Sequence, residues 1–148
     1  MDKDITLLVI EDDDVDLEMI QRALEGQNLT CPVVTAADGV EALEILRGSH
    51  ASKGIHEPYI IVVDINMPRM DGFEFLTELR LDPDLADSVV FMFSSSDAPD
   101  EIERAYAMKV AGFVNKQDAG PKFFRLAEMI ERYTMAIRLP GIRTLRSG

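Results

Sequence analysis

The chain has 148 residues, 47% of them hydrophobic and 28% charged, which is the composition of one globular domain. Its net charge of −12 disfavours direct binding to the phosphate backbone of DNA. We expect a cytoplasmic protein with no membrane association, because no apolar run reaches the roughly 20 residues of a membrane-spanning helix, the N-terminus does not resemble a secretory signal, and a single cysteine, Cys31, allows no internal disulfide.

Strand-like and helix-like patterns alternate along the chain five times. Apolar and β-branched runs predict strands at 5–10, 32–37, 59–64, 89–93 and 112–115. Each run precedes a stretch whose apolar residues recur at helical spacing, as Leu17, Ile20 and Leu24 do after the first strand. The last predicted helix carries Phe123, Ala127, Ile130, Thr134 and Ile137. This alternation predicts an α/β fold, a doubly wound parallel sheet of five strands with helices on both faces.

Several helix starts are marked by residues that suit the first turn. Asp13 or Asp14 is expected to cap the first helix and Asp71 the third, since both precede helical patterns. Pro99 suits the first turn of the fourth helix, where a missing N–H is harmless.

Polar side chains stand where four of the predicted strands end. Glu11 and Asp12 follow the first strand, Asp64 the third, Ser94 the fourth and Lys116 the fifth. Ligands of doubly wound sheets bind beyond the carboxyl ends of the strands, where the strand order reverses. We therefore expect three carboxylates, a hydroxyl and an ammonium group to gather at one edge of the sheet.

These groups indicate phosphoryl chemistry. Three neighbouring carboxylates repel one another unless a cation neutralises them, and Mg²⁺ prefers such oxygen ligands together with a phosphate. A carboxylate attacks phosphorus to form an acyl phosphate, while Lys116 and Ser94 are suited to hold the phosphoryl oxygens.

The arrangement resembles the receiver domain of bacterial two-component response regulators. The matching residues, in chain order, are Glu11, Asp12, Asp64, Ile65, Asn66, Met67, Pro68, Gly72, Ser94 and Lys116. They lie within residues 5–137, in the order and at the spacing of that family. The resemblance implies a flavodoxin-like (βα)5 fold with strand order 2-1-3-4-5.

The resemblance also implies a function and a set of site residues. Asp64 is expected to accept a phosphoryl group from a sensor histidine kinase in a step that depends on Mg²⁺, and the protein would assist this reaction without being an enzyme. Asp12 and Asp64 are the implied direct metal ligands, with the Asn66 backbone carbonyl as a third and Glu11 acting through water.

Two further roles follow from the same resemblance. Lys116 and Ser94 are the implied phosphoryl-binding residues, and Phe113 with Ser94 forms the implied switch, in which an aromatic side chain changes rotamer on activation. The chain departs from the family pattern at Gln117, where proline usually follows the lysine, so we expect a trans peptide bond after Lys116.

A narrower resemblance is to single-domain response regulators that work with bacterial phytochromes. It depends on the extended loop at 48–58, on the spacing of Tyr106 and Val110, and on the C-terminal segment. It implies a light-sensing kinase as the partner and no output domain. We divide the chain into a receiver domain, 1–138, and a C-terminal tail, 139–148.

Apolar residues on the last helix and in the tail predict a homodimer. Phe124, Leu126 and Met129 broaden the apolar surface of the helix beyond one stripe, and Ile142 and Leu145 continue it into the tail. We expect the last two helices, the fifth strand and the tail, acting as an arm, to form the interface.

Two alternative functions share part of this residue pattern. A phosphatase of the haloacid-dehalogenase type also uses an aspartate at a strand end, but it needs an acid two residues later, where this chain has Asn66. A degenerate receiver that only binds partners would be expected to lack one of the key residues. His50 and His56, in the loop before the third strand, are expected to be exposed to solvent rather than to bind a metal.

Overall fold

A computed structural model describes residues 5–27, 29 and 31–140, and its centre is a parallel sheet with strand order β2-β1-β3-β4-β5. The strands are β1 Thr6–Ile10, β2 Val33–Ala36, β3 Tyr59–Val63, β4 Val89–Ser94 and β5 Gly112–Asn115. The helices are α1 Asp14–Gly26, α2 Gly39–Arg47, α3 Gly72–Leu81, α4 Pro99–Ala107 and α5 Phe124–Ala136. The predicted fold class and strand order are confirmed.

Helices cover both faces of the sheet, and each face has its own hydrophobic core. Side chains from α2, α3 and α4 pack on one face, with Leu43, Phe75 and Ala105 among them. Side chains from α1 and α5 pack on the other, including Ile20 and Ile130. The two cores explain why the helices carry apolar stripes facing inward.

The central strand β3 is buried on both faces. Ile61 and Val63 point into the core formed with α2, α3 and α4, whereas Ile60 and Val62 point into the core formed with α1 and α5. Alternate residues of a strand face opposite sides of the sheet, so burial on both sides requires a continuous apolar run.

The predicted helix starts agree with the structure. The Asp13 side chain caps α1 by accepting from the backbone N–H groups of Val15 and Asp16. Asp71 caps α3 in a capping box with Glu74, and Pro99 occupies the first turn of α4.

The last helix differs from the prediction in two respects. It begins at Phe124, because Phe123 has a left-handed backbone conformation with φ of 60°. Leu126 is buried in the core rather than exposed on a broad outer surface. Phe124, in contrast, is half exposed, at 50%.

The connection from β5 to α5 consists of two short 3-10 helices, Lys116–Ala119 and Pro121–Phe123. The peptide bond after Lys116 is trans, as predicted, since Glu57–Pro58 is the one cis bond within the described residues. None of the helices in the described ranges has the length and apolar character needed to cross a bilayer.

Only the start of the predicted tail falls within the described residues. Leu139 packs against the core between the sheet and helices α1 and α5. Pro140 lies beside Glu57 and Tyr59, near the amino end of β3. Residues 141–148, which include Ile142 and Leu145, lie outside the described part of the chain.

Candidate functional site

The strand register places the polar residues that follow β1 and β3 side by side. Ile10 pairs with Val63, and the Asp64 backbone N–H donates to the Ile10 carbonyl at 3.0 Å. On the other side of β1, the Glu11 N–H donates to the Ala36 carbonyl at 3.0 Å. The chain therefore leaves both strands at the same level, at the carboxyl edge of the sheet.

Three carboxylates meet at this edge. Glu11, Asp12 and Asp64 each offer an oxygen atom, and these atoms all lie within 4.8 Å of one another. Glu11 and Asp64 are only 3% and 7% exposed, whereas Asp12 is open to solvent. The cluster is thus a shielded pair of acids with a third acid at its mouth.

Lys116 provides the positive charge of the site. Its Nζ lies 3.1 Å from Glu11 Oε1 and 3.6 Å from Asp64 Oδ2. A further carboxylate makes the shortest contact, since Asp16 Oδ2 is 2.8 Å away. Asp16 was not among the predicted site residues, because an acidic residue in the first turn of a helix is already explained by the helix dipole.

Burial and charge shift the proton affinities of the site. Burial, assisted by the charge of Asp64, raises the pKa of Glu11 from its usual 4.5 to about 7. Burial also raises the pKa of Asp64, although Lys116 opposes the shift. Burial would lower the pKa of Lys116, but the hydrogen bond to Asp16 and the charges of Asp64 and Glu11 outweigh it and raise that pKa.

The other predicted site residues lie on β4, on β5 and in the loop after β3. Ser94 is fully buried at the end of β4, where its hydroxyl accepts from the Ser96 N–H at 3.1 Å. Asn66 is exposed in the loop that follows Asp64. Phe113 is partly buried against the core, and its N–H donates to the Tyr106 hydroxyl at 3.1 Å.

The loop after β3 is held close to the sheet at Gly72. The Gly72 N–H donates to the Ile65 carbonyl at 2.7 Å. A Cβ atom at Gly72 would overlap the Asp64 carbonyl oxygen and would lie 2.9 Å from the Ile65 Cα. Glycine is therefore required where α3 begins, directly behind the buried carboxylate.

A second restraint on this loop comes from Arg69. Its guanidinium forms two hydrogen bonds with the Asp38 carboxylate, at 2.7 and 3.1 Å. Asp38 is itself buried and caps α2 through the Glu41 N–H. Arg69 thus ties the loop after Asp64 to the start of α2.

The expectation that both loop histidines are exposed is wrong for His50. Its side chain is 13% exposed, and Nε2 lies 3.0 Å from Glu41 Oε2. The Nδ1 atom accepts from the N–H groups of Ser52 and Lys53. His50 therefore organises the extended loop, while His56 is exposed as expected.

The donor set at the sheet edge suits a hard divalent cation. All three side chains that group there supply carboxylate oxygens, which Mg²⁺ and Mn²⁺ accept as ligands. Two buried acids that repel each other would also gain from a neighbouring cation.

Known proteins share both the sequence pattern and the fold of this chain. The model of the response regulator receiver domain family matches residues 7–129. The chain is 25% identical to Response regulator Rcp1 of Synechocystis sp. over 136 residues, which cover 91% of this chain and 92% of Rcp1.

Solved structures agree in fold. The phosphorylated cyanobacterial phytochrome response regulator RcpA is 31% identical, with a TM-score of 0.81, covering 92% of this chain and 98% of RcpA. The Mn²⁺-bound form of Rcp1 is 25% identical, with a TM-score of 0.76, over 92% of this chain and 99% of that one. The chain belongs to the response regulator receiver domain family.

Proposed function

We propose that this receiver domain is a phosphoacceptor of two-component signalling, in which Asp64 takes a phosphoryl group from a sensor histidine kinase. One observation carries the proposal: the Asp64 carboxylate is buried at the sheet edge between two other carboxylates and the ammonium group of Lys116. Membership of the receiver family supports it.

The residues of the chain have distinct parts in the proposed transfer. An oxygen of Asp64 attacks the phosphorus of a phosphohistidine, the new O–P bond forms, and the N–P bond breaks with its electrons remaining on the histidine nitrogen. Lys116 and Ser94 hold the phosphoryl oxygens, Lys116 by charge and Ser94 through its hydroxyl. Lys116 remains protonated throughout, because its pKa is raised by its carboxylate neighbours.

Asp12, Asp64 and the Asn66 carbonyl would hold Mg²⁺ directly, and Glu11 would hold it through water. Bound there, Mg²⁺ supplies positive charge that offsets the repulsion between the carboxylates and an incoming phosphoryl group. The cluster of Glu11, Asp12 and Asp64 supports this assignment, as does the Mn²⁺-bound form of the similar protein Rcp1.

The signal would leave the site through Ser94 and Phe113. Ser94 turns its hydroxyl from the Ser96 N–H toward the phosphoryl group, and Phe113 changes rotamer in response. Phe113 has no hydroxyl of its own, so the switch depends on packing. The partly buried position of Phe113 against the core supports this role.

The proposal also covers the upstream kinase, the location of the protein and its relation to DNA. The likeness to RcpA, a cyanobacterial phytochrome response regulator, supports a bacterial phytochrome as the upstream kinase, and a cytoplasmic location is part of the same proposal. The net charge of −12 supports a signalling route without direct DNA binding.

A homodimer is the last part of the proposal. Tyr106 on α4 is 49% exposed, and Phe124 and Met135 on α5 are 50% and 70% exposed. These apolar side chains support an interface on the last two helices and β5. Because Leu139 packs within its own receiver domain, the arm formed by the tail would begin beyond Pro140.

The direct test of the function is phosphorylation by a small donor. The protein is incubated with acetyl phosphate and Mg²⁺, and the intact mass is measured. We expect one added phosphoryl group in the wild type, none in Asp64→Asn, and little in the presence of EDTA. Asp71→Asn is the matched control, because it removes a carboxylate from the same loop while asparagine still caps α3. A phosphoryl mass that persists in Asp64→Asn would refute the assignment.

The identity of the kinase needs a separate experiment. Phosphotransfer is profiled with purified sensor kinases, some with phytochrome photosensory domains and some without. We expect the fastest transfer from a phytochrome kinase, and preference for a kinase with no photosensory domain would contradict the proposal.

A further inference from the structure

Asp16, the carboxylate closest to Lys116, has no role in the proposed phosphoryl transfer. Asp16 Oδ2 lies 2.8 Å from Lys116 Nζ, closer than Glu11 at 3.1 Å or Asp64 at 3.6 Å. We propose that Asp16 is a positioning residue that holds the Lys116 ammonium group between transfers and competes with the phosphoryl group for it.

The Asp16 carboxylate is held in place by the start of α1. The Asp16 N–H donates to the capping side chain of Asp13, which fixes the backbone of the first turn. Its side chain is 25% exposed and that of Lys116 only 11%. An ion pair with this degree of shielding is screened less by solvent than a pair on the open surface.

The hydrogen-bond capacity of Lys116 explains why Asp16 competes. An ammonium group has three N–H donors, and here three carboxylates lie around it: Asp16 and Glu11 accept hydrogen bonds from Lys116, at 2.8 and 3.1 Å, and Asp64 lies at 3.6 Å. Two of these, Glu11 and Asp64, belong to the proposed metal and phosphoryl site. Asp16 lies outside that set, so displacing it frees a further N–H of Lys116 for a phosphoryl oxygen and leaves the hydrogen bond to Glu11 intact.

The charge of Asp16 acts in the same direction. A phosphoryl group on Asp64 carries a charge of about −2. It therefore repels the Asp16 carboxylate, which binds the same lysine. Removing the Asp16 charge therefore strengthens binding of a phosphoryl group for two reasons: it frees an N–H donor of Lys116, and it removes the repulsion between two anions. Glu11 remains in contact with Lys116 and keeps the lysine directed into the site.

This inference rests on the proposed function and is tested with beryllofluoride, which mimics the phosphoryl group. Binding to the full-length protein in Mg²⁺ is measured by ¹⁹F NMR. We expect Asp16→Asn to lower the dissociation constant about tenfold. The reason is that the variant loses the charge-assisted hydrogen bond by which Asp16 competes for Lys116. Asp16→Glu is expected to restore a value close to that of the wild type.

Asp14→Asn is the matched control. Asp14 lies in the same first turn and is exposed, so this variant makes the same change in charge on the same helix end. We expect its dissociation constant to remain within about twofold of the wild type, since an exposed charge is screened. An equal effect of both variants would overturn the inference, because it would show a general charge effect.

The interaction between Asp16 and Lys116 is tested separately, by measuring the free energy of unfolding of the metal-free protein. Urea unfolding is compared for Asp16→Asn, Lys116→Met and the double variant, and we expect the double change to be smaller than the sum of the single changes. Additive changes would overturn the inference. If the wild type binds beryllofluoride but Asp16→Asn does so equally, only this inference fails; if the wild type shows no binding, the proposed function fails as well.

Discussion

Glu11 is a residue whose acid–base chemistry is strongly altered by its surroundings. It is 3% exposed and next to the Asp64 carboxylate, and Lys116 and the Asp13 N–H partly offset the cost of its charged form. Burial raises its pKa to about 7, so near neutral pH the metal-free site retains part of a proton. A cation that binds there displaces this proton, which couples metal affinity to pH.

This pKa predicts an unusual dependence of stability on pH. Between pH 4.5 and about 7 the native state binds more protons at Glu11 than the unfolded chain, so the free energy of unfolding falls as the pH rises, by about 3 kcal/mol at most. The raised pKa of Asp64 acts in the same direction. Asp38 and Glu41 have lowered pKa values, so their stabilising effect is present above 3.8 and 4.5 and is lost only below them.

The measurement is urea unfolding in EDTA from pH 5 to 7.5. We expect the wild type to lose stability across this range and Glu11→Gln to lose much less, because glutamine does not titrate. Added Mg²⁺ should also reduce the loss, since it favours the ionised carboxylates. A wild-type free energy of unfolding that is constant or rises over this range would contradict the prediction.

Some contacts of the site residues could not be predicted from the sequence. Residues at the ends of strands were predictable, because a parallel sheet brings its carboxyl ends to one edge whatever the details of packing. The pairing of Asp16 with Lys116 depends on how α1 is rotated against β5, and 100 residues separate the two. His50 was mispredicted for the same reason, since Glu41, its partner, lies on a different element.

At the level of elements, the start of α3 and the end of β3 act as one unit. Gly72 lies against the backbone of Asp64 and Ile65, and Asp71 fixes the first turn through its capping box with Glu74. The short spacing from Asp64 to Gly72 therefore has a steric cause. The helix begins so close to the strand end that it leaves no space for a side chain.

Gly72→Ala is predicted to disturb this unit. Its Cβ would overlap the Asp64 carbonyl oxygen, and relief requires the backbone of Asp64 to move, at a cost of about 1–3 kcal/mol in the free energy of unfolding. Because that backbone carries the proposed phosphoacceptor, labelling by acetyl phosphate should also fall. Urea unfolding and intact mass measure the two effects.

Gly26→Ala is the matched control in α1. An added Cβ there meets nothing within 4 Å, and alanine is the better helix former, so we expect unchanged labelling and a gain of up to about 1 kcal/mol. A Gly72→Ala variant as stable and as readily labelled as the wild type would show that the loop adapts without moving Asp64.

The elements themselves were predicted closely, and their ends less so. Apolar runs long enough to be buried on both sides, such as the one at β3, predicted the strands, and the boundaries moved by at most a residue or two. The start of α5 was missed, because the left-handed conformation of Phe123 leaves no mark in the sequence. Leu126 faces inward because it lies one helical turn before the buried Ile130 and packs into the same core.

For the molecule as a whole, charge and exposed apolar surface act against each other. A net charge of −12 opposes association of identical chains, particularly at low ionic strength. The half-exposed Tyr106 and Phe124 and the exposed Met135 favour it. Dimerisation should therefore strengthen with added salt, which screens the repulsion and leaves the apolar contacts intact.

The contribution of the tail is testable by removing residues 141–148 and measuring the association constant by sedimentation. Cutting after Pro140 keeps Leu139 in its own core, so we expect the receiver domain to fold as in the full-length protein. The segment contains the apolar residues Ile142 and Leu145, and burying even one of them across an interface is worth about 1.5 kcal/mol, so we expect the association constant to fall at least about tenfold. Full-length Met135→Lys is the companion variant, because it places a charge on the exposed surface of α5 and leaves the tail unchanged. An association constant unchanged by the truncation but lowered by Met135→Lys would place the interface on the helix and exclude the arm.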